Sequence, residues 1–526
     1  MRTIPAEYNL ARDIDRFADD PQRIAIRWEN EHGVKKELSY LQLREESNQF
    51  ANALKQAGLT KGDTLMVMLP RTPETYSVYL GALKSGIIIT PGSELLQPKD
   101  LLYRIQHSKA KAVVCYHSLH DRIDVVRNQS SDLTHFISVG GEQEGWTTYD
   151  EFIASMSNDF EIVATRSTDI AFLNYTSGTT GNPKGVIHSH SWGYIHQIVA
   201  AKQWLGIKEG DVVWGTAAPG WGKWTWTPFL SALGSGATSI SYLGTFHPRK
   251  YMHIINEYQV NVLCCTPTEY RMLVRLPNLD QYKISSLRYA VSAGEALNPQ
   301  VIEKFKDQFG ITIRDGYGQT ETTLLIGTLA DMEERRGSMG KPTPENIVAI
   351  IDEDGNHLPA GEVGHIAIHK DSPALFKGYL NEPERTASSF KGDWYLTGDL
   401  ASMDVDGYYW YKGRADDVII SSGYTIGPAE VEDALDLHPA VHESAVVASP
   451  DEVRGFIVKA FVVLKDPKQA SDALIKELQH HVKNVTASYK YPREIEFISD
   501  LPRTISNKVR RVVLRELERS KKLALT

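Results

Sequence analysis

The stretch Tyr175-Thr176-Ser177-Gly178-Thr179-Thr180-Gly181-Asn182-Pro183-Lys184-Gly185 gathers three glycines and five Ser, Thr or Asn side chains around one lysine, between two apolar runs. Glycine lets backbone N–H groups come close to phosphate oxygens, hydroxyls add further donors, and lysine brings a positive charge on a mobile arm. The pattern reads as a phosphate cradle. It is not a Walker A loop: counted from Gly178, Pro183 stands where that motif has the glycine before its lysine, and Gly185 stands where a magnesium-binding Ser or Thr should follow. The flanks differ too. Ile170 to Asn174 and Lys184 to Ile187 both read as strands, whereas a Walker A loop feeds a helix.

At 526 residues the chain is too long for one hydrophobic core, so two or three domains are expected. Its 42% apolar and 23% charged residues are ordinary for a globular protein. A net charge of −9 argues against general affinity for nucleic acid or anionic membrane. Cys115, Cys264 and Cys265 form no metal-ligand spacing and read as buried thiols in a reducing compartment. The N-terminal residues contain no apolar core of signal-peptide length and include acidic side chains, and no run reaches the roughly 18 apolar residues of a membrane span. A cytoplasmic protein without a membrane span is expected.

Apolar runs alternate with helix-like segments, which predicts an α/β protein with largely buried sheets. Thr64 to Leu69 reads as a strand followed by a helix from about Pro73, and Ala112 to Tyr116 as a strand after a helix containing Leu101 and Ile105. Asn261 to Cys265 reads as another strand, with a capping box and proline at the first helical position in Thr266-Pro-Thr-Glu269. Leu287 to Val291 runs into Ser292-Ala-Gly294-Glu295-Ala296, and a helix from Asn298-Pro299 closes at Gly310. These loops sit at strand ends, where open α/β sheets bind ligands. A domain boundary is expected near Ala415, after Tyr411-Lys-Gly-Arg414-Ala-Asp416-Asp417; beyond it Ser444 to Ala448 and Val458 to Leu464 read as strands, with helices around Val431 and Leu474.

Further motifs follow the cradle in order: Asp315-Gly316-Tyr317-Gly318-Gln319-Thr320-Glu321, Trp394-Tyr-Leu-Thr-Gly-Asp399, Gly413-Arg414-Ala-Asp416-Asp417 and Pro502-Arg-Thr-Ile-Ser-Asn-Lys508. With them the 175–185 stretch resembles the nucleotide-binding signature of the adenylate-forming superfamily, which includes acyl-CoA synthetases, adenylation domains of peptide synthetases and luciferases. The likeness spans nearly the whole chain and is greatest to bacterial short-, medium- and branched-chain acyl-CoA synthetases. It implies a large N-terminal domain (1–415) of α/β layers with mixed sheets and a small distorted β-barrel, and a small mobile α+β C-terminal domain (416–526) hinged at Asp416. It also implies ATP and Mg2+ as cofactors, with coenzyme A as co-substrate.

The resemblance carries roles to matching residues. Thr176 to Gly181 and Lys184 would hold phosphate; Gly294, Glu295 and Ala296 would border adenine; Asp315 to Thr320 would line the nucleotide, with the Tyr317 ring on adenine, the Thr320 hydroxyl on phosphate and Glu321 on magnesium. A carboxylate beside a phosphate loop makes sense only with a metal between the negative charges. Asp399 and Arg414 would bond the ribose. Lys508 would bridge carboxylate and phosphoryl oxygens, where an ammonium stabilises the transition state more than the ground state because both reacting partners are negative. Ser422, Gly423 and Tyr424 would line a pantetheine tunnel, and Arg454 and Lys483 would meet CoA. Two departures stand out: Thr425 replaces a frequent Arg or Lys, and Asn507 replaces a frequent glycine, although Asn tolerates left-handed backbone better than most residues. His188 and His190 share a strand face and receive no role.

Pro219-Gly-Trp221-Gly-Lys223-Trp224 and the glycines around Tyr317 are expected to form the acyl pocket, with Trp221 as a wall. Relatives devoted to acetate carry tryptophan where this chain has Gly318, and each additional buried methylene is worth about 0.8 kcal/mol, about fourfold in affinity. The expectation is an ATP-dependent ligase joining a short- to medium-chain, possibly branched, aliphatic acid to CoA through an acyl-AMP. Loading of a carrier protein, or a non-catalytic nucleotide or acyl-CoA sensor, are the rival readings. Lys223 needs a partner or water if it lines an apolar pocket.

Overall fold

Two sheets built from buried apolar runs organise the first part of the chain. In the computed structural model, which describes residues 3–176, 182–294, 299–421, 424–451, 455–504 and 508–523, Met1–Ile347 with His369–Ser389 forms one compact unit and Val348–Ile368 with Phe390–Thr526 another. The first sheet of the larger unit has seven strands in the order Thr147–Thr148, His135–Val139, Ala110–Tyr116, Thr64–Met68, Ile88–Pro91, Ile170–Thr176 and Lys184–Ser189. All neighbours are parallel except the last pair, an antiparallel hairpin.

The second sheet has nine strands, ordered Lys341–Pro342, Leu324–Gly327, Ile313–Gly318, Tyr289–Ala293, Val262–Cys265, Val212–Gly215, Thr238–Leu243, Ile24–Asn30 and Lys35–Ser39. It is parallel from Ile313–Gly318 through Ile24–Asn30 and antiparallel at both edges. One buried cluster contains Leu65, Val67 and Phe172 of the first sheet, Ile26 and Trp28 of the second, and Tyr76, Tyr79 and Leu83 from the helix Pro73–Lys84. That helix is buried on every side, with Glu74 its one partly exposed residue, and its buried Lys84 is paired with Asp15 at 2.9 Å.

Several local expectations hold. The Thr266 hydroxyl accepts from the Glu269 N–H with Pro267 in the first turn, and the helix Pro299–Phe309 ends at Gly310, whose φ of +71° suits glycine. Cys115, Cys264 and Cys265 are buried free thiols, and burial pushes Cys115 up to about 12. The strand expected from Leu287 begins at Tyr289 and runs on through Ala293, because Ser292 and Ala293 pair with Asp315 and Gly316. Among the described residues no helix is long and apolar enough to cross a membrane.

The smaller unit opens with five strands, Val348–Ile351, Val363–His369, Phe390–Lys391, Trp394–Met403 and Tyr409–Arg414, which form one sheet. A hairpin of Ile419–Ser421 and Tyr424–Ile426 follows, then a three-stranded sheet of Val441–Asp451, Gly455–Leu464 and Glu494–Phe497. Its strands run beyond the expected limits because Val441 to Asp451 pairs with Gly455 to Leu464 along its length. Val431 and Leu435 from the helix Pro428–Asp436, and Leu478 and Val482 from Asp472–Val485, bury their apolar stripes against Val446, Val458 and Val462.

Candidate active site

The cradle is the loop of the Ile170–Thr176/Lys184–Ser189 hairpin, in which Tyr175 lies opposite Gly185 and Thr176 opposite Lys184. Ser177, Gly178, Thr179, Thr180 and Gly181 lie outside the described residues. The two feet of the loop are built in detail. Thr176 Oγ1 is buried with no hydrogen-bond partner among the described residues, a hydroxyl left over for a ligand oxygen. From the helix Pro98–Ser108, Tyr103 donates its hydroxyl to the Pro183 carbonyl at 3.2 Å, and His107 Nδ1 meets the Tyr175 hydroxyl at 2.9 Å. These contacts fix both strands at the point where the loop leaves them.

Lys184 Nζ stands 4.7 Å from the centre of the Tyr379 ring and 3.4 Å from its hydroxyl. The same hydroxyl donates to Glu321 Oε1 at 2.9 Å. Tyr379 thus joins the cradle lysine to the carboxylate expected to meet magnesium. It arrives by strand-like addition: Leu380 N–H bonds the Gly185 carbonyl at 2.7 Å, Lys377 N–H bonds Ile187 at 2.9 Å, and Phe376 N–H bonds the Glu321 carbonyl at 2.8 Å. No local motif marks Tyr379, and the sequence reading passes over it.

Asp315 to Gly318 is strand rather than loop, since Ile313–Gly318 pairs in parallel with Tyr289–Ala293 and antiparallel with Leu324–Gly327. The turn begins at Gln319, whose N–H donates to Thr322 Oγ1 at 2.9 Å. The Asp315 carboxyl accepts from the Gly316 N–H at 2.8 Å, and burial raises it to about 7. Tyr317 and Thr320 are half-buried, and Glu321 is buried. Gly316 and Gly318 are forced by space: a Cβ at 316 would stand 2.5 Å from the Trp204 ring, and one at 318 would stand 2.3 Å from the Thr323 carbonyl oxygen. Gly318 therefore has a backbone reason of its own, beyond any room it leaves for an acyl chain.

Gly294 adopts φ +100°, a conformation side chains resist, directly after the strand Tyr289–Ala293. Glu295 and Ala296 lie outside the described residues. Lys223 finds its partner here, donating from Nζ to the Ala293 carbonyl at 2.5 Å. Trp221 is half-buried at the start of the turn Gly222–Trp224. Gly220 beside it has φ +91° and passes so close to Gly92 and Ser93 that a Cβ would meet backbone at 2.6 Å.

In the smaller unit Asp399 lies inside the strand Trp394–Met403, directly opposite Arg414 of Tyr409–Arg414. Pairing of the two strands continues past Asp399 to Met403. Arg414 Nη1 is 3.4 Å from Asp399 Oδ1, and the Tyr411 hydroxyl donates to the same oxygen at 3.3 Å. The pair expected to share a ribose is thus brought together. Asp416 stands 3.5 Å from Arg414 Nε and 3.6 Å from Arg515 Nη2. Lys508 is exposed: its N–H bonds Thr504 Oγ1 at 3.1 Å, and its carbonyl accepts from Thr504 N–H at 2.8 Å. Asn507, Ser422, Gly423 and Arg454 lie outside the described residues; Tyr424 opens the strand Tyr424–Ile426, and Lys483 Nζ sits 3.9 Å over the Tyr491 ring.

His188 and His190 are not surface residues. His188 Nε2 lies 2.5 Å from the Thr320 carbonyl, and His190 Nδ1 accepts the Leu10 N–H at 3.2 Å. Burial lowers both to about 4, so both are neutral imidazoles.

Residues 14–380 match the AMP-binding enzyme family, and residues 430–508 match the AMP-binding enzyme C-terminal domain. The chain is 52% identical over 515 residues to the uncharacterized acyl-CoA ligase YtcI of Bacillus subtilis (strain 168), covering 98% of this chain and 97% of that protein. It is 42% identical over 530 residues to the human mitochondrial acyl-coenzyme A synthetase ACSM3, covering 98% of this chain and 90% of that protein. Among solved structures, it is similar to the anthranilate CoA ligase AuaEII in complex with anthranoyl-AMP, with a TM-score of 0.90, 30% identity and coverage of 99% of each chain.

Proposed function

We propose that this chain, which belongs to the AMP-binding enzyme family and within it to the acyl-CoA synthetase branch of the adenylate-forming superfamily, joins an aliphatic carboxylic acid of intermediate size to CoA. In the first step a carboxylate oxygen attacks the α-phosphorus of ATP, the α–β anhydride breaks, and pyrophosphate leaves. In the second the CoA thiolate attacks the acyl carbonyl and AMP leaves. The observation that carries the reading is the Lys184–Tyr379–Glu321 connection beside the orphaned Thr176 hydroxyl: a cation, a carboxylate and an unused donor meet at the mouth of one loop.

On this reading Thr176 and Lys184 hold phosphate oxygens, and Asp399 with Arg414 holds the ribose. Asp315 borders adenine with the Tyr317 ring. The Glu321 carboxylate would hold magnesium together with phosphate oxygens, a hard oxygen set, and the ion would supply positive charge beside the phosphates. Lys508 brings an ammonium to the reacting carboxylate and phosphoryl group, from a C-terminal domain beginning near residue 416. Ser422, Gly423 and Tyr424 serve the second step, with Arg454 and Lys483 on CoA. Trp221 and the narrow strand at Gly318 border the acyl chain.

The test is acid-dependent pyrophosphate release with Mg2+ and ATP over straight and branched acids from acetate to about ten carbons, followed by thioester formation with free CoA or with phosphopantetheinylated carrier proteins. Expected are poor turnover of acetate, a maximum at intermediate size, and free CoA as the better acceptor. Pyrophosphate release that ignores the acid, or thioester formed only on carrier protein, would contradict the proposal.

A further inference from the structure

The strand Lys184–Ser189 runs directly into the helix His190–His196, and three side chains four residues apart, His188, Trp192 and His196, form a continuous stack. The His188 and Trp192 rings are 4.6 Å apart, and Trp192 and His196 are 5.4 Å apart with planes inclined by 17°. All three are at most 1% exposed. Every rung turns a polar atom to the same short segment. His188 Nε2 meets the Thr320 carbonyl at 2.5 Å, Trp192 Nε1 donates to the Thr322 carbonyl at 3.0 Å, and His196 Nδ1 lies 2.6 Å from the Thr323 hydroxyl.

The acceptors fix the tautomers. A carbonyl can only accept, so His188 carries its proton on Nε2. His196 Nε2 faces the Trp226 carbonyl at 2.9 Å and so carries the proton there, leaving Nδ1 to accept from Thr323. The second ring nitrogen of His188 has no partner among the described residues. Burying an unpaired polar atom is unfavourable, so an apolar residue would pack this position better. What the imidazole supplies, and an apolar side chain would not, is the grip on Thr320.

We propose that His188, Trp192 and His196 are positioning residues: a buried aromatic ladder that sets the backbone of Thr320 to Thr323, and so aims the Thr320 hydroxyl and the Glu321 carboxylate. This rests on the reading of those two groups as phosphate and metal contacts. Because His188 also belongs to the strand that carries Lys184, the ladder ties the phosphate hairpin to the Thr320–Glu321 turn. Through Trp226, which follows Lys223 by three residues, it also ties both to the segment expected to border the acyl chain. None of the three touches a reacting atom.

Three variants test it. His188→Met removes the Nε2 donor at similar bulk, His188→Gln offers an amide N–H in its place, and Trp192→Phe removes the indole N–H while keeping a smaller aromatic ring in the stack. A shift of about 1 Å in a catalytic group costs about a hundredfold. His188→Met and Trp192→Phe should therefore lower kcat of carboxylate-dependent ATP–pyrophosphate exchange by about ten- to a hundredfold, with thioester formation from supplied acyl-adenylate changed far less, while His188→Gln recovers most of the loss. Independently of activity, hydrogen–deuterium exchange should rise across the 318–323 amides in His188→Met and Trp192→Phe. Unchanged exchange at 318–323, or equal losses in His188→Gln and His188→Met, would overturn the ladder. Faster amide exchange in the two variants, of a chain whose wild type shows no acid-dependent pyrophosphate exchange, would leave the ladder standing and overturn the functional reading instead.

Discussion

A Cβ at position 318 would lie 2.3 Å from the Thr323 carbonyl oxygen, a distance that only backbone movement can relieve. Overpacking of this kind costs about 1 to 3 kcal/mol. Gly318→Ala should therefore lower kcat/KM by about ten- to a hundredfold for every acid in a chain-length series, together with the melting temperature. A selective gain on acetate instead would show that the glycine serves pocket size alone. Tyr379 makes the complementary case. Tyr379→Phe keeps the ring beneath Lys184 but removes the donor to Glu321, and a hydrogen bond to a charged group is worth about 1.5 to 3 kcal/mol. A fall of about ten- to a hundredfold in kcat/KM for ATP is expected, with secondary structure unchanged; wild-type kinetics would remove Tyr379 from the site. The two residues also differ in how far sequence could reveal them. Gly318 sits in a motif and is visible, although its backbone cause is not. Tyr379 reaches Lys184 across 195 residues of chain and follows no pattern, so only the folded sheet edge discloses it.

At the scale of elements, strands and their terminal loops are legible because an apolar run that stops at glycine and hydroxyl residues leaves few alternatives. The capping box at Thr266 and the two strands under the cradle are read directly in sequence. Pairing partners are not local information. That is why Asp399 falls in mid-strand and why Asp315 to Gly318 is pleated: Arg414 and the strand Leu324–Gly327 continue the ladders. The helix His190–His196 has a measurable consequence of burial. His190 and His196 are held neutral by burial, lowered from 6.5 to about 4. Around His190, Asp169 favours the charged form and Lys61 opposes it, and both are outweighed by desolvation. Between pH 4 and 6.5 the unfolded chain binds more protons than the folded one, so stability rises with pH through that window and is lost as pH falls. Each group contributes a slope of up to about 1.4 kcal/mol per pH unit. Calorimetry from pH 7 to 4 should show the decline. His190→Asn, whose amide oxygen can accept the Leu10 N–H, should make it shallower; an identical slope would assign the acid sensitivity to other groups.

At the scale of the molecule, the proposed reaction assigns its two steps to different parts of one chain. Lys508 belongs to the smaller unit, where charge pairs anchor the C-terminal helix Arg511–Leu523 that follows it. Arg511 holds Glu432 at 2.6 Å and Lys521 holds Glu496 at 2.5 Å, while the buried Glu518 takes Lys459 at 2.6 Å and the Ser449 hydroxyl at 2.8 Å. Removing one partner of a buried pair is costly, whereas an exposed ammonium contributes little to folding. Lys508 is exposed, and Thr504 holds its backbone. Lys508→Ala should therefore leave the melting temperature unchanged. Its effect should fall on one step, because the ammonium opposes negative charge that both partners bring together only when carboxylate meets the α-phosphate. Acyl-AMP formation, followed as pyrophosphate release, should fall to background. Conversion of supplied acyl-AMP and CoA to thioester should continue near the wild-type rate, since a thiolate attacking an acyl carbonyl needs no cation at the phosphorus. Equal loss of both steps would mean that Lys508 serves the nucleotide site as a whole, and the division of the two steps between Lys508 and the 422–424 segment would have to be given up.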